Sequence, residues 1–202
     1  MMDAFRQDLI KKLGETKLKK IEKVKIGIAG AGGLGSNCAA CLVRVGFKHL
    51  TIADFDVIDA TNLDRQFYFE DQVGMKKVEA LRINLQRINP HLELQMLPVK
   101  LVPANVPEIF RDCDVVVECL DRAESKSMLV SRLLSSGKLI VSASGLGGFG
   151  SSDHIKIHRL KKNLVLIGDL TSDIEKSPAL SPRVSIAAAK QADVVLEFVV
   201  GK

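Results

Sequence analysis

The chain has 202 residues, of which 47% are hydrophobic and 26% charged, and its mean hydropathy is +0.14. A chain of this length fits one domain that buries roughly 70% of the surface of its unfolded form. It contains no apolar run near the ~18 residues of a membrane span, and its first residues, MMDAFRQDLIKK, lack a signal-peptide core. We therefore expect no membrane partner and a cytoplasmic location.

Seven lysines lie between Lys11 and Lys25 and contribute to a formal net charge of +5. They alternate with apolar residues at roughly helical spacing, which predicts an amphipathic helix over 1–23 with a solvated cationic face. A basic face that meets an acidic protein is the alternative. Nucleic acid is not an expected partner, because tryptophan is absent, Tyr68 is the only tyrosine, and no aromatic residues separate the basic ones.

Strands and helices alternate after this helix. This rhythm predicts an α/β fold with a Rossmann-like, mostly parallel sheet and helices on both faces. The predicted strands cover 24–29, 49–54, 92–98, 114–119 and 138–143, and the predicted helices cover 34–46, 75–88, 104–111 and 123–136.

The pattern changes at Gly145, where two alternating strands follow each other without a long helix between them. We expect an antiparallel hairpin that extends the sheet, then a polar segment, Asp169–Pro182, and a closing helix at 183–199. The whole chain is predicted to be one domain, with the helix at 1–23, a nucleotide-binding core at 24–144 and the antiparallel extension at 145–202.

The segment KIGIAGAGGLGS combines a strand, a glycine turn and a helix start. Such a turn leaves backbone N–H groups bare and directs a helix N-terminus at a phosphate. Asp54 ends the next strand, nineteen residues after Gly35, where a Rossmann fold places its ribose-binding acid. The sequence therefore predicts a nucleotide site formed by Asp54 and the turn glycines Gly30, Gly32, Gly33 and Gly35.

The loop TNLDRQF follows the second strand and adds polar groups at the carboxyl edge of the sheet. Arg65 is suited to phosphate oxygens, and Asn62 and Gln66 offer neutral hydrogen bonds. The alternative for Arg65 is a surface ion pair with its neighbour Asp64. Its place where ligands bind in parallel sheets favours the phosphate role.

Two later positions extend this charge pattern. Lys76 and Lys77 open a predicted helix, where a cation is unfavourable without a nearby anion, so at least one is a candidate ligand of phosphate. Asp121 directly follows an apolar strand and is a candidate magnesium ligand beside a triphosphate. An N-cap of the following helix is the alternative role of Asp121.

The remaining candidates are weaker. Cys38 and Cys41 form a CxxC motif on a predicted helix, without a second pair at zinc-site spacing. We interpret all four cysteines as buried thiols in a reducing compartment, expect no zinc, and keep a redox or metal role as the alternative. The second glycine run, Gly145–Gly150, predicts a loop where an extended peptide lies. His154 and His158 fall on a strand pattern and are not expected to bind metal.

Four ordered motifs resemble one family. GAGGLGS, ADFDVIDATNLDRQF, VGMKKVEAL…INP and a strand ending in CLD are similar to the ThiF/MoeB/HesA superfamily, relatives of ubiquitin-activating enzymes. The resemblance covers about residues 24–200. The C-terminal part, GFGSSDHIKIHRLKK…SPRVSIAAAKQA, is similar to the short ThiF-like subgroup associated with thiamine biosynthesis.

The resemblance implies a nucleotidyltransferase that uses ATP and Mg²⁺. It would adenylylate the C-terminal Gly-Gly carboxylate of a small ubiquitin-like, ThiS-like sulfur carrier protein and release pyrophosphate, in thiamine (thiazole) biosynthesis. The residues 145–202 would then bind the carrier. By position, the family's functional residues fall on Gly33, Asp54, Asn62, Arg65, Gln66, Lys77 rather than Lys76, and Asp121 as the metal ligand. Arg65, Lys77 and Asp121 are the expected catalytic residues. Family members are dimers, so a homodimer is expected, and Arg6 is a candidate for donation across its interface.

The chain departs from its family in three respects. It lacks the two zinc-binding CxxC pairs of longer relatives, it has no cysteine in 120–202, and Arg122 stands where Asn is usual. The missing cysteine predicts an enzyme that stops at the adenylate. Two alternatives stay open: an NAD-dependent oxidoreductase using the same turn and Asp54, and a catalytically idle scaffold that binds ATP or a carrier, which Arg122 favours.

Overall fold

A computed structural model describes residues 4–201. In that range a sheet of seven strands forms in the order β3-β2-β1-β4-β5-β7-β6. The strands are β1 (Lys25–Ala29), β2 (His49–Ala53), β3 (Glu93–Leu97), β4 (Val115–Glu118), β5 (Leu139–Ala143), β6 (Lys156–Lys161) and β7 (Leu164–Gly168). Every neighbouring pair is parallel except β6–β7, which is antiparallel. The predicted α/β fold and its antiparallel extension are therefore confirmed.

Helices cover both faces of the sheet. They are α1 (Ala4–Leu13), α2 (Glu15–Lys23), α3 (Gly33–Arg44), α4 (Lys77–Ile88), α5 (Val106–Ile109), α6 (Ala123–Leu133) and α7 (Ser181–Val200). One hydrophobic core lies between the sheet and α3, α4 and α7, and a second lies between the sheet and α5 and α6. The central strands read as continuous apolar runs because they are buried on both faces.

The N-terminal prediction needs a correction. The single helix expected over 1–23 is divided into α1 and α2 at Gly14, whose φ of 81° lies in the left-handed region that interrupts a helix. Leu9, Leu18 and Ile21 are buried and the lysines point outward, as an amphipathic face requires. Residues 1–3 of the predicted helix lie outside the described part of the chain.

Two other elements are shorter than expected. The helix predicted at 104–111 is a single turn, α5, and the hairpin predicted from Gly145 begins only at Lys156. The glycines before it have positive φ angles, at Gly145, Gly148 and Gly150, which strands do not adopt. These residues form a loop instead.

Strand order places a crevice at the carboxyl ends of β1 and β4. The chain passes from β1 outward to β2 on one side, while β4 continues the sheet on the other. At such a switch point the loops after neighbouring strands separate and leave room for a ligand. Gly30 follows β1, Asp54 follows the neighbouring strand β2, and Asp121 lies just beyond β4, and all three are predicted site residues.

No helix within residues 4–201 is both long enough and apolar enough to cross a membrane.

Candidate nucleotide-binding site

The glycine turn between β1 and α3 has a packed side and an open side. A Cβ atom at Gly35 would lie 1.9 Å from the carbonyl oxygen of Gly30, and one at Gly30 would lie 2.8 Å from that of Cys119. At Gly32 the nearest atom to such a Cβ is 3.8 Å away. Gly30 and Gly35 thus allow close backbone packing, whereas the turn is open at Gly32.

This asymmetry predicts different effects of two substitutions. Gly35→Ala should lower the free energy of unfolding by about 3 kcal/mol or more, because the methyl group meets backbone that cannot rotate away. Gly32→Ala is the matched control and should change stability by less than about 1 kcal/mol. Urea unfolding of both variants measures the difference. Equal stability of the two variants would contradict the packing described.

Asp54 connects the end of β2 to the glycine turn. Its Oδ2 accepts a hydrogen bond from the backbone N–H of Ala31 at 2.6 Å, and its Oδ1 accepts one from the backbone N–H of Asp56 at 2.8 Å. Burial raises the pKa of Asp54, and the two backbone hydrogen bonds oppose that rise. Asp54, the predicted ribose-binding acid, therefore also stabilises the glycine turn.

The loop after β2 is held over the first turn of α3. Asn37 Nδ2 donates to the carbonyl oxygens of Gly33 and Arg65 at 2.7 and 2.9 Å. Ser36 Oγ accepts from the N–H of Phe67 at 2.9 Å. These contacts place Arg65 against the turn, with its Cγ 3.5 Å from the position of a Cβ at Gly33.

Arg65 itself makes the ion pair considered as the alternative. Its Nη1 donates to Asp64 Oδ1 at 2.7 Å and to the carbonyl oxygen of Thr61 at 3.1 Å. A phosphate role requires the guanidinium to exchange or share these partners. Asn62 Oδ1 accepts from the N–H of Asp59. Gln66 is buried, and its Oε1 has no hydrogen-bond partner within residues 4–201.

The two lysines at the start of α4 differ sharply. The side chain of Lys77 is 8% exposed and its Nζ lies 2.8 Å from Asp56 Oδ2. The side chain of Lys76 is 52% exposed and its Nζ lies 3.8 Å from Glu79. Lys77 also belongs to the site side of the fold, because its backbone N–H donates to the carbonyl of Asp56 just after β2. Of the two lysines, Lys77 is therefore the buried one and lies next to the loop that follows β2.

Sequence reasoning missed Tyr68. Its buried hydroxyl lies 2.7 Å from the carbonyl oxygen of Ala31 and 3.2 Å from that of Lys77, so it joins the glycine turn to α4. Burial raises the pKa of Tyr68, with a further contribution from Asp54, and this keeps the hydroxyl protonated as a donor. The signal available in the sequence was a lone tyrosine in a polar loop.

Asp121 is exposed just beyond the carboxyl end of β4. The N-cap alternative does not hold: Arg122 occupies the N-cap position of α6, and no side-chain capping bond forms there within the described residues. Residues 4–201 contain no group of three or more His, Cys, Asp or Glu arranged to hold a metal. A single carboxylate still fits Mg²⁺, which keeps several waters and takes further ligands from phosphates.

A buried charge cluster supports the turn that carries Asp121, and it too was missed. Glu118, fully buried, accepts from the N–H of Leu120 at 2.6 Å and from Lys126 Nζ at 3.1 and 3.2 Å. Ser142 Oγ donates to the same carboxylate. The cluster therefore fixes the ends of β4 and β5 beside the crevice.

The glycine run Gly145–Gly150 and the polar segment Asp169–Pro182 lie against each other. We call residues 145–150 and 169–182 the tail loops. Gly148 N–H donates to the carbonyl of Pro178 at 3.0 Å, and Asp169 N–H donates to that of Gly145 at 3.2 Å. Phe149, at the tip, is 84% exposed.

The cysteines are buried or half-buried thiols without disulfides in the described chain. Burial raises the pKa of Cys38 and Cys119, and raises that of Cys113 to about 11. Thiols that stay protonated near neutral pH are poor nucleophiles and poor metal ligands.

The two histidines of the C-terminal part lie on different elements. His154 lies in a short 3₁₀ turn and His158 on β6, so the two do not share a helical face.

Arg6 and Arg122 are the two remaining arginines that the sequence singled out. Arg6 donates through Nε and Nη2 to both carboxylate oxygens of Glu22, at 2.8 and 3.0 Å. Lys48 pairs with the same carboxylate. Arg122 is exposed at the start of α6.

A glycine turn at the switch point of a doubly wound sheet, flanked by an acid, a buried lysine and an exposed acid, defines an α/β protein of the nucleotide-binding class. The model of the ThiF family matches residues 5–201. The chain therefore belongs to the ThiF family, which confirms the resemblance read from its motifs.

Comparison with known sequences identifies longer relatives. The chain is 39% identical over 132 residues to the adenylyltransferase and sulfurtransferase UBA4 of Candida glabrata, covering 65% of the chain and 30% of UBA4. It is 34% identical over 142 residues to the adenylyltransferase and sulfurtransferase MOCS3 of Drosophila sechellia, covering 70% of the chain and 31% of MOCS3. The matched region thus spans about a third of these relatives.

Comparison with solved structures supports the fold over nearly the whole chain. E. coli tRNA N6-threonylcarbamoyladenosine dehydratase, TcdA, solved with ATP or with AMP, superimposes with a TM-score of 0.89 and 21% identity, covering 98% of this chain and 96% of TcdA. E. coli MccB, solved with AMPCPP and MccA, superimposes with a TM-score of 0.73 and 19% identity, covering 91% of this chain and 57% of MccB.

Proposed function

We propose that this protein is an adenylyltransferase that activates the C-terminal Gly-Gly carboxylate of a small ubiquitin-like sulfur carrier protein. The observation that carries the proposal is the strand order of a ThiF-family fold, in which the glycine turn, Arg65, Lys77 and Asp121 all lie on segments that follow the carboxyl ends of β1, β2 and β4. The naming of UBA4 and MOCS3 as adenylyltransferases supports it, as do the ATP and AMP bound to TcdA. A ThiS-like carrier in thiamine (thiazole) biosynthesis is the proposed substrate.

The reaction is a displacement at the α-phosphorus of ATP. A carboxylate oxygen of the carrier attacks, the bond between the α-phosphorus and the α–β bridging oxygen breaks, and pyrophosphate leaves with the electron pair. No side chain of the enzyme forms a covalent bond in this step. The protein must therefore position the two reactants and neutralise developing negative charge.

Each part of the site has a role in this displacement. The N–H groups of the glycine turn hold phosphate at its open side near Gly32, and Asp54 accepts from a ribose hydroxyl. Asn62 and Gln66 supply neutral hydrogen bonds through their amide nitrogens. Arg65 and Lys77 stabilise charge on the phosphates once their carboxylate partners are exchanged for phosphate oxygens.

Asp121 is the residue proposed to hold Mg²⁺ together with the phosphates. Bound there, Mg²⁺ would neutralise charge on the departing pyrophosphate. Glu118 and Lys126 would keep the Asp121 turn in place through the bonds to Leu120 and to each other.

The tail loops are proposed to border the path of the carrier's Gly-Gly tail, which makes 145–202 the carrier-binding part and the whole chain one adenylyltransferase domain. A homodimer, with Arg6 acting across its interface, belongs to the same proposal. Arg6 would then have to leave Glu22, its partner within the chain.

Pyrophosphate–ATP exchange tests the proposal directly. Wild-type protein, ATP, Mg²⁺ and a carrier ending in Gly-Gly should incorporate labelled pyrophosphate into ATP, and the same carrier lacking its last two glycines should not support exchange. ATP binding without exchange would overturn the enzyme and favour a scaffold. Preferential binding of NADH over ATP would favour an oxidoreductase instead.

The cysteines give a separate prediction. Cys119→Ser should retain most of the exchange activity, within about twofold of wild type, because adenylylation uses no thiol and the Cys119 thiol is buried and protonated. The same measurement on Cys41→Ser, the half-buried member of the CxxC motif, is the companion test. Loss of exchange in either variant with the fold retained would indicate covalent chemistry beyond the adenylate.

A further inference from the structure

Arg183 is a buried arginine in the first turn of α7 that joins both tail loops. It is 4% exposed, and its two terminal nitrogens bond to different segments. Nη1 donates to the carbonyl oxygen of Gly150 at 2.8 Å, and Nη2 donates to the carboxylate of Asp169. Gly150 ends one tail loop and Asp169 begins the other, so one guanidinium spans both.

Asp169 extends this connection to the start of the first tail loop. Its Oδ1 accepts from the N–H groups of Thr171 and Ser172 at 2.9 and 2.8 Å. The same oxygen would lie 2.2 Å from a Cβ at Gly145, which shows how closely the two segments approach. Partial desolvation opposes ionisation of Asp169, but the bonds from Ser172, Thr171 and Arg183 outweigh it and lower its pKa to about 2.

The next residue of α7 faces the nucleotide turn. A Cβ atom at Gly33 would lie 2.9 Å from Val184 Cγ1, and α7 packs along α3, which begins at Gly33. Two consecutive residues at the start of α7 therefore contact different parts of the candidate site, the glycine turn and the tail loops. Val184 packs against the turn for the nucleotide, and Arg183 holds the loops for the tail.

We propose that Arg183 is a positioning residue that sets the tail loops relative to the nucleotide turn, and so aligns the carrier's carboxylate with the α-phosphorus. This inference rests on the proposed adenylylation. Arg183 does not touch the reacting atoms. Its contribution is geometric, because displacement requires the attacking oxygen near the phosphorus, and a misplacement of about 1 Å costs about 100-fold in rate.

Arg183→Lys is the most informative variant. It keeps the positive charge but replaces a fork of two nitrogens by one, which cannot hold Gly150 and Asp169 in the same geometry. We expect kcat/KM for the carrier to fall by about 10- to 100-fold, while the Kd for ATP stays within about twofold. Amide hydrogen exchange should accelerate in both tail loops and not in the glycine turn.

Two further variants complete the test. Asp169→Asn removes the charge that pairs with Arg183. It should likewise lower kcat/KM for the carrier and leave the Kd for ATP nearly unchanged. Arg111→Lys is the matched control, since Arg111 pairs with Glu108 of α5, both side chains are exposed, and neither lies in 145–202. It should leave carrier kcat/KM, ATP binding and hydrogen exchange in the tail loops unchanged.

The outcomes separate this inference from the proposed function. If wild type exchanges pyrophosphate and Arg183→Lys has unchanged carrier kcat/KM or unchanged protection of the tail loops, the positioning role is wrong. Equal losses toward ATP and carrier would also overturn it, since they indicate a general structural role. Absence of exchange in wild type would instead overturn the proposed function itself.

Discussion

Lys77→Met is expected to lower carrier-dependent pyrophosphate exchange by about 100-fold or more, because one preorganised charge at a transition state contributes about 10²–10³ in rate. Lys77 is nearly buried and its Nζ lies 2.8 Å from Asp56, so its ammonium is held next to the loop after β2 and would exchange this carboxylate for phosphate when ATP binds. Methionine keeps the length and apolar stem of the side chain and removes only the charge. Initial exchange rates at saturating ATP measure the effect.

Lys76→Met provides the control next to it in the chain. Its side chain is 52% exposed and its contact to Glu79 is 3.8 Å long, so exchange should stay within about twofold of wild type. Lys77→Met leaves Asp56 without its partner, but that side chain is 46% exposed, and the expected loss in unfolding free energy is about 1 kcal/mol or less. Equal activity losses in the two variants would refute the assignment to Lys77.

The second large effect is expected at Asp121. Asp121→Ala should reduce exchange below detection, because it removes the only side-chain ligand proposed for Mg²⁺. The substitution should hardly affect stability, since Asp121 is exposed beyond the end of β4. Titration of Mg²⁺ against ATP binding in a calorimeter adds an independent readout: the gain in ATP affinity produced by Mg²⁺ should be smaller in the variant.

Asp112→Ala is the matched control for this experiment. Asp112 is also exposed and lies just before the same strand, at the amino edge of the sheet and away from the crevice. Exchange and Mg²⁺ dependence should equal those of wild type. If Asp121→Ala kept full exchange at low Mg²⁺ concentration, the metal would have to be held without this carboxylate.

Much of the framework was predictable because it depends on local patterns. Each of the apolar strands β1, β4 and β5 is formed by consecutive residues, and so is the glycine turn. Together they determine the parallel sheet and its switch point. One exception was Gly14, where one residue with positive φ divides a continuous amphipathic pattern into two helices. Periodicity alone does not show whether a glycine stays helical.

The site residues were predictable only where the type and position of a single residue indicate its chemical role. Arg65, Lys77 and Asp121 could be chosen from their positions, but the partners that fix them could not. The pair Glu118–Lys126 combines residues from a strand and a helix, and Arg183 reaches Gly150 and Asp169 across two loops. Such contacts depend on three-dimensional packing, and a charged residue inside an apolar strand or at a helix start gives no indication of its partner.

The outer strand of the hairpin also limits how two copies can associate. β6 is the edge of the sheet, and its register is interrupted between Arg159 and Lys161. The strand KIHRLK and the turn after it carry four exposed Lys and Arg side chains, at Lys156, Arg159, Lys161 and Lys162. Pairing this edge with itself in a second copy would bring like charges together on an irregular ladder. The expected homodimer should therefore form through a surface other than the β6 edge.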